Sequence, residues 1–211
     1  MADVRDRAAT IVSLDLALVR GVDAATRAAT RSAGRHVVCR RGCTPCCVGI
    51  FDITALDAAR LLRSLRRLRR RSAELASSIE RRARRQWRLL APRFPGDRAR
   101  GRLDDCERER RRLFERFGAL PCPVLDPNTG ACLLYRSRPL SCRTFGLPVR
   151  CGTAVLPACE LNFRDVASST VAACTVEPDP GDAEGALLAR LERETGRRGD
   201  TVIAAAIALA D

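Results

Sequence analysis

The sequence predicts a mainly α-helical fold with irregular coil and few or no strands. Three observations carry that expectation. Apolar residues recur at helical spacing over several segments, proline and glycine concentrate between those segments, and eleven cysteines in 211 residues fall mostly in the coil-rich parts. Apolar residues make up 46% of the chain but aromatic residues only 4%. Little large side-chain area is therefore available for burial, and a bound metal would add constraint that packing does not supply. The length suits a single domain over residues 1–211, with an arginine-rich helical insertion over residues 54–117.

Val4 to Ala33 reads as the first helix: Val4, Ile11, Leu14, Leu18 and Val22 recur near helical spacing, and Gly21 marks a kink or break. Gly34, Gly42, Pro45 and Gly49 make residues 34–50 a loop. Thr54-Ala-Leu-Asp57 has the form of a capping box with Asp in place of Glu, and opens a helix with the stripe Leu61, Leu62, Leu65 and Leu68. A second amphipathic stretch carries Leu75, Ile79, Trp87 and Leu90, until Pro92 and Pro95-Gly96 end it. Leu103 to Phe117 gives another helix, with Asp104/Arg108 and Glu107/Arg111 spaced for pairing. Residues 118–160 are expected to be coil with short strands at most, held by ligation rather than by packing. Glu177 to Gly185 is a turn-rich linker, and Ala186–Arg193 and Thr201–Ala210 read as closing helices. The longest apolar stretch, Val202 to Ala210, is well short of the roughly 20 residues a spanning helix needs. No membrane association is expected.

Charge is concentrated in one segment. All 38 basic residues are arginine, and Arg60–Arg116 holds 21 of them against 8 acids. That segment's net +13 equals the net charge of the whole chain. Such a segment reads either as solvated helix faces or as a surface for nucleic acid or an acidic partner. Trp87 is the only aromatic between Phe51 and Phe94, so base stacking is not supported.

The cysteines are the chemically informative residues. Their count is odd, the chain is long for a disulfide scaffold, and the start Met1-Ala-Asp-Val-Arg-Asp-Arg is not a secretory signal. A cytoplasmic protein with reduced thiols is expected, and metal binding is the leading reason for so many of them. Cys39, Cys43 and Cys46 have the CxxxCxxC spacing of radical S-adenosylmethionine enzymes, but Pro45 stands where those usually carry an aromatic and no strand-helix repeat accompanies it. Cys43-Thr-Pro-Cys46 is half of a zinc knuckle whose second half is missing, because Cys122, Cys132, Cys142, Cys151 and Cys159 stand singly. An iron-sulfur cluster suits the layout better. Three close cysteines can take adjacent corners while a remote one completes the set, and Cys122-Pro123 has the form of a remote ligand. Helices around a cysteine-ligated metal centre, [4Fe-4S] with zinc as the alternative, are thus expected.

Arg136, Arg138 and Arg143 lie among the later cysteines, where guanidinium groups would offset thiolate charge or make ordinary salt bridges. His36 is the sole histidine, which excludes a histidine-built hydrolytic zinc site, and no phosphate loop is present.

Two blocks together resemble a known family. They are Cys39-Arg-Arg-Gly-Cys43-Thr-Pro-Cys46-Cys47, and the run from Cys122-Pro through Gly130-Ala-Cys132 and Tyr135-Arg-Ser-Arg138-Pro to Cys142-Arg143-Thr-Phe145. With the later Cys159-Glu-Leu-Asn-Phe163 they are similar to the YkgJ-type cysteine-cluster family, a zinc- or iron-chelating domain of bacteria. The resemblance covers residues 37–165. It implies Cys39, Cys43, Cys46, Cys47, Cys122, Cys132, Cys142 and Cys159 as metal ligands, with Tyr135, Arg138 and Arg143 around them. It implies no reaction. Electron transfer, redox sensing or an accessory role in macromolecule modification is expected, with an unidentified redox or protein partner. A zinc-stabilised module whose arginine-rich helices contact nucleic acid or an acidic protein is the alternative; a third reading, by analogy with flagellin lysine methylases that carry a related cluster, is an enzyme acting on a protein side chain. Cys106, Cys151 and Cys174 are read as thiols outside the centre.

Overall fold

A computed structural model describes residues 2–210, with side chains from residue 6 onward. In chain order its helices and strands are α1 (Ala2–Ala33), β1 (Asp52–Ile53), α2 (Ala55–Arg71), α3 (Ala73–Leu90), β2 (Gly96–Asp97), β3 (Arg102–Leu103), α4 (Glu107–Arg116), α5 (Leu140–Thr144), β4 (Val149–Cys151), β5 (Ala154–Leu156), α6 (Ser168–Ala173), α7 (Ala183–Thr195), β6 (Thr201–Val202) and α8 (Ile203–Ala208). Helices take 56% of the residues and strands 9%, so the fold is mainly α as expected. The strands form three antiparallel pairs, β1 with β6, β2 with β3 and β4 with β5. No helix among the described residues is long and apolar enough to cross a membrane.

The chain divides into two compact units, one of residues 1–40 and 140–196 and the other of residues 41–139 and 197–211. In the first, α1 packs along α7 and against α5. Val19 and Val22 of α1 are buried with Leu140, while Ala33 joins Leu147, Phe163, Cys174 and Val176 in a second apolar cluster. The helix runs unbroken through Gly21. One helical glycine costs only about 1 kcal/mol relative to alanine, less than burying two valines returns. Val4, expected on the apolar stripe, lies outside the described side chains.

In the second unit α3 packs against both α2 and α8. Leu61 and Leu65 of α2, Ala76, Ile79 and Ala83 of α3, and Ile203 and Ile207 of α8 form one core with Ile53, Val124 and Leu134. A neighbouring cluster gathers Trp87, Leu90, Phe94, Leu103, Leu113 and Val202, with the Trp87 and Phe94 rings edge-on at 4.9 Å. Thr54 caps α2 by accepting from the Asp57 N–H at 3.3 Å, as its sequence predicts, and Ser72 caps α3 in the same way through Leu75. Arg69 on α2 pairs with Glu80 on α3 and ties the two helices together.

Helices α5 and α6 form where no helix is expected, α7 begins three residues earlier than expected, at Ala183, and two further boundaries shift because strands form. Leu103 is not helical: with Arg102 it pairs against Gly96–Asp97, so the helix begins only at Glu107, with Cys106 at its N-cap position. Asp104 accordingly sits before the helix and accepts from Cys106 N–H and Arg110 Nε, while the Glu107–Arg111 pair forms at 2.7 Å. Likewise Thr201–Val202 joins β1, which delays α8 to Ile203.

Arg110 is the polar anchor of this region. Its guanidinium reaches Asp200 at 2.8 Å, Asp52 at 3.3 Å and Asp105 at 3.4 Å, linking α4 to the β1–β6 pair. Burial works against its charge, but these carboxylates raise its pKa on balance. Arg110→Ala should therefore cost about 2 kcal/mol, read as a lower urea midpoint with an unchanged slope, while Arg111→Ala on the exposed side of α4 should leave the midpoint in place. Equal midpoints for the two variants would mean that the Arg110 network adds nothing.

Candidate metal centre

The cysteine loop and the coil after α4 are joined by backbone pairing. Cys122 N–H donates to Cys47 O at 2.7 Å and Gly49 N–H to Leu120 O at 2.8 Å, around an antiparallel bridge between Val48 and Pro121. A short 3-10 turn, Pro45–Cys47, presents Cys46 and Cys47 beside this bridge. Downstream the chain folds back on itself. Asp126 accepts from the Asn128 N–H and the Thr129 hydroxyl, making a tight turn that pairs Leu125 with Cys132 and Val124 O with the Leu133 N–H. Gly130, at φ +66°, closes the turn so near the cysteine loop that a Cβ there would lie 3.0 Å from Thr44 Cγ2.

Helix α3 holds this coil from below. Gln86 Nε2 donates to Pro121 O, and one turn away Arg82 Nε donates to Pro123 O at 2.9 Å, so the two side chains bracket Cys122. Prolines 121 and 123 have no N–H to give to a ladder, and their carbonyls are satisfied by a helix instead. The Arg82 Nη2 and Gln86 Oε1 atoms are buried without a hydrogen-bond partner. Arg82's guanidinium pKa is lowered by burial, with Asp126 and Cys122 opposing that loss. These two residues were missed by sequence reasoning. The available signal was Gln86, a polar residue that falls on the buried face of α3 between Ala83 and Trp87.

The thiols of this unit influence one another. Cys122 and Cys132 pack against the apolar core. Burial pushes the Cys122 thiol up from 9.0 to about 11, and Cys132 adds to the effect. Cys132 is raised by its own burial, opposed by Arg138 and reinforced by Cys46. Cys46 is raised furthest, first by a hydrogen bond with the Cys47 side chain and then by burial, with Arg138 again opposing. Cys46, Cys47, Cys122 and Cys132 thus form one electrostatically connected neighbourhood with Arg82 and Arg138. Arg138 also lies over the Tyr135 ring at 3.9 Å, and Tyr135 itself is largely exposed. Cys43 belongs to the same unit and is partly buried.

Cys39, Cys142 and Cys159 belong to the other unit. Asn162, buried, organises the first of them: its Nδ2 donates to Cys39 Sγ at 3.4 Å and to Gly146 O, while its Oδ1 accepts from the Val38 N–H at 2.9 Å. Gly146 adopts φ +108°, and a Cβ there would stand 2.8 Å from the Cys39 sulfur. Phe163, next to Asn162, is held at φ +53°, a conformation costly for a bulky residue; its N–H donates to His36 O and its ring stacks on the imidazole. Cys142 lies on α5, and Cys159 O accepts from the Asn162 N–H. Arg143 is buried, and its Nη1 donates to both carboxylate oxygens of Asp23 at 2.8 Å, so its charge is met within its own unit. Of the remaining thiols, Cys106 and Cys151 are exposed and Cys174 is buried.

Among the described residues no disulfide joins the cysteines, and no three His, Cys, Asp or Glu side chains converge on a single ion position. The chain matches no family model, no curated protein and no solved structure.

The buried thiols tie stability to alkaline pH. Because Cys122 holds its proton more tightly in the fold than in the unfolded chain, its contribution is complete below about pH 9 and is lost as pH rises through about 11. Two pH units correspond to about 3 kcal/mol. Urea midpoints of metal-free protein between pH 8 and pH 11, values chosen to bracket that about 2-unit span, should fall accordingly and fall less in Cys122→Ala; parallel curves would show that the thiol is not buried.

Proposed function

We propose that the protein is a cysteine-ligated metal protein of the YkgJ-like kind, holding a [4Fe-4S] cluster with thiolates from Cys46, Cys47, Cys122 and Cys132. The observation that carries this reading is the buried, unpartnered Arg82 nitrogen beside a neighbourhood of four thiols. A buried guanidinium nitrogen without an acceptor is costly, and thiolates on a metal would add negative charge beside it to that of Asp126. The donor set consists of sulfurs, the soft ligands that iron-sulfur clusters and zinc take. Adjacent cysteines are poorly placed to bind a single ion, whereas a cluster offers Cys46 and Cys47 separate irons.

Each residue then has a definite task. Cys46 must give up its hydrogen bond with Cys47 and lose its proton, as must Cys122 and Cys132, so metal uptake weakens as pH falls. Gln86 and Arg82 orient Cys122 through its neighbouring carbonyls, and Arg138 offsets charge at Cys46 and Cys132. Cys43 stands two residues before the turn that presents this pair; Cys39, Cys142 and Cys159, also implied by the resemblance, belong to the other unit and are not among these four ligands. When bound, the cluster supplies one-electron chemistry, suited to electron transfer, redox sensing or an accessory role in macromolecule modification with a redox or protein partner. Such a cluster, held by reduced thiols, suits the reducing conditions of the cytoplasm.

Anaerobic purification followed by iron, sulfide and zinc analysis and a visible spectrum tests the reading. Iron and sulfide near equal amounts with a brown chromophore are expected; stoichiometric zinc in a colourless protein would replace the cluster by a zinc site. Cys122→Ser and Cys132→Ser should each lose most of the metal, whereas Cys106→Ser, on the surface, should keep it. Equal metal content in all three would remove Cys122 and Cys132 from the ligand set.

A further inference from the structure

Helix α3 presents a face that the metal centre does not use. Arg81, Arg84, Arg85 and Arg88 are all exposed, and their spacing of i, i+3, i+4 and i+7 gathers them within about 100° of the helix circumference. The opposite face carries Ile79, Ala83, Trp87 and Leu90 into the core. Among the described residues none of the four stripe arginines pairs with a carboxylate, and residues 81–96 contain no acid at all. The last acid before them, Glu80, is occupied by Arg69. Unpaired like charges at i, i+4 destabilise a helix slightly. The arrangement gains only when an anionic array lies across it.

We propose that this stripe binds the phosphate backbone of double-stranded nucleic acid, a function separate from the metal centre. The four guanidiniums span about 10 Å along the helix axis, comparable with the roughly 12 Å groove that admits an α-helix between two phosphate rows. Guanidinium forks match phosphate oxygens in pairs. A single strand is disfavoured as partner because Trp87, the one aromatic residue on α3, is buried and leaves no stacking platform. An anionic membrane is disfavoured too: an interfacial helix sinks an apolar face into lipid, and the apolar face of α3 is already in the core. Four phosphate contacts predict affinity that falls with salt at a log–log slope near −4.

The full-length, metal-loaded protein and a labelled duplex of arbitrary sequence, about 20 base pairs long, provide the test by fluorescence anisotropy. Binding at about 50 mM salt should weaken about a hundredfold by about 200 mM and should be alike for two unrelated sequences. Combining Arg81→Gln, Arg84→Gln, Arg85→Gln and Arg88→Gln should abolish both binding and its salt slope, with circular dichroism and metal content unchanged. A charge-matched variant, with Arg20→Gln, Arg27→Gln, Arg31→Gln and Arg35→Gln on exposed positions of α1 and the turn after it, should bind nearly as wild type. No binding at about 50 mM salt overturns the proposal. So does equal loss in both variants, which would assign the effect to net charge, and so does stronger binding to a single strand, polyglutamate or anionic vesicles than to duplex.

Discussion

The arrangement of the second unit depends on how Cys122 is fixed. Its N–H is tied to Cys47 O, and the carbonyls on either side of it are tied to Gln86 and Arg82. Pro121 and Pro123 cannot extend a ladder, and the side chains of α3 supply partners for their carbonyls. The same contacts bring Cys46 and Cys47 together with Cys122 and Cys132, distant in sequence, at one edge of the core formed by α2, α3 and α8. Helix packing places α3; α3 places the coil; the coil places the thiols.

Burial then sets the chemistry of those thiols. Cys122 and Cys132 touch the apolar core, which favours their protonated forms, while Arg82 and Arg138 favour the charged ones. A protonated buried thiol and a buried unpaired guanidinium nitrogen are each tolerable alone, but side by side they are mismatched. Deprotonation onto a metal would relieve both. Burial thus raises the pKa values of these thiols while the neighbouring guanidiniums pull them back down.

Much of the fold was legible because it follows from local rules. The Thr54 cap, the leucine stripe of α2 and the proline stop after α3 act within a few residues of themselves, and each is where the sequence puts it. The delayed starts of α4 and α8 come from pairing over distance. Leu103 and Thr201 have helix-compatible neighbours, but hydrogen bonds to Gly96–Asp97 and Asp52–Ile53 draw their segments into strands. The candidate site shows the same division. The cysteines announce themselves by spacing, whereas the grouping of Cys46 and Cys47 with Cys122 and Cys132 depends on a backbone bridge that no local pattern encodes. Of the two roles the sequence leaves open for Arg143, the structure shows the salt bridge, and its partner Asp23 lies on α1 far upstream.

Arginine content shows most clearly why a count of charges falls short. Arg81 and Arg82 are neighbours in a run of bases, indistinguishable by composition, yet one step along a helix turns a side chain by about 100°. That rotation carries Arg81 out to solvent with Arg84, Arg85 and Arg88, and turns Arg82 in towards Pro123 and the thiol beside it. An exposed guanidinium keeps its water and acts through its field; a partly buried one has lost that water and acts through the anion it needs. The net charge of this segment is therefore the sum of two unlike contributions. The helical phase of each arginine, set by where Ile79, Ala83 and Leu90 must go to reach the core, decides which contribution it makes.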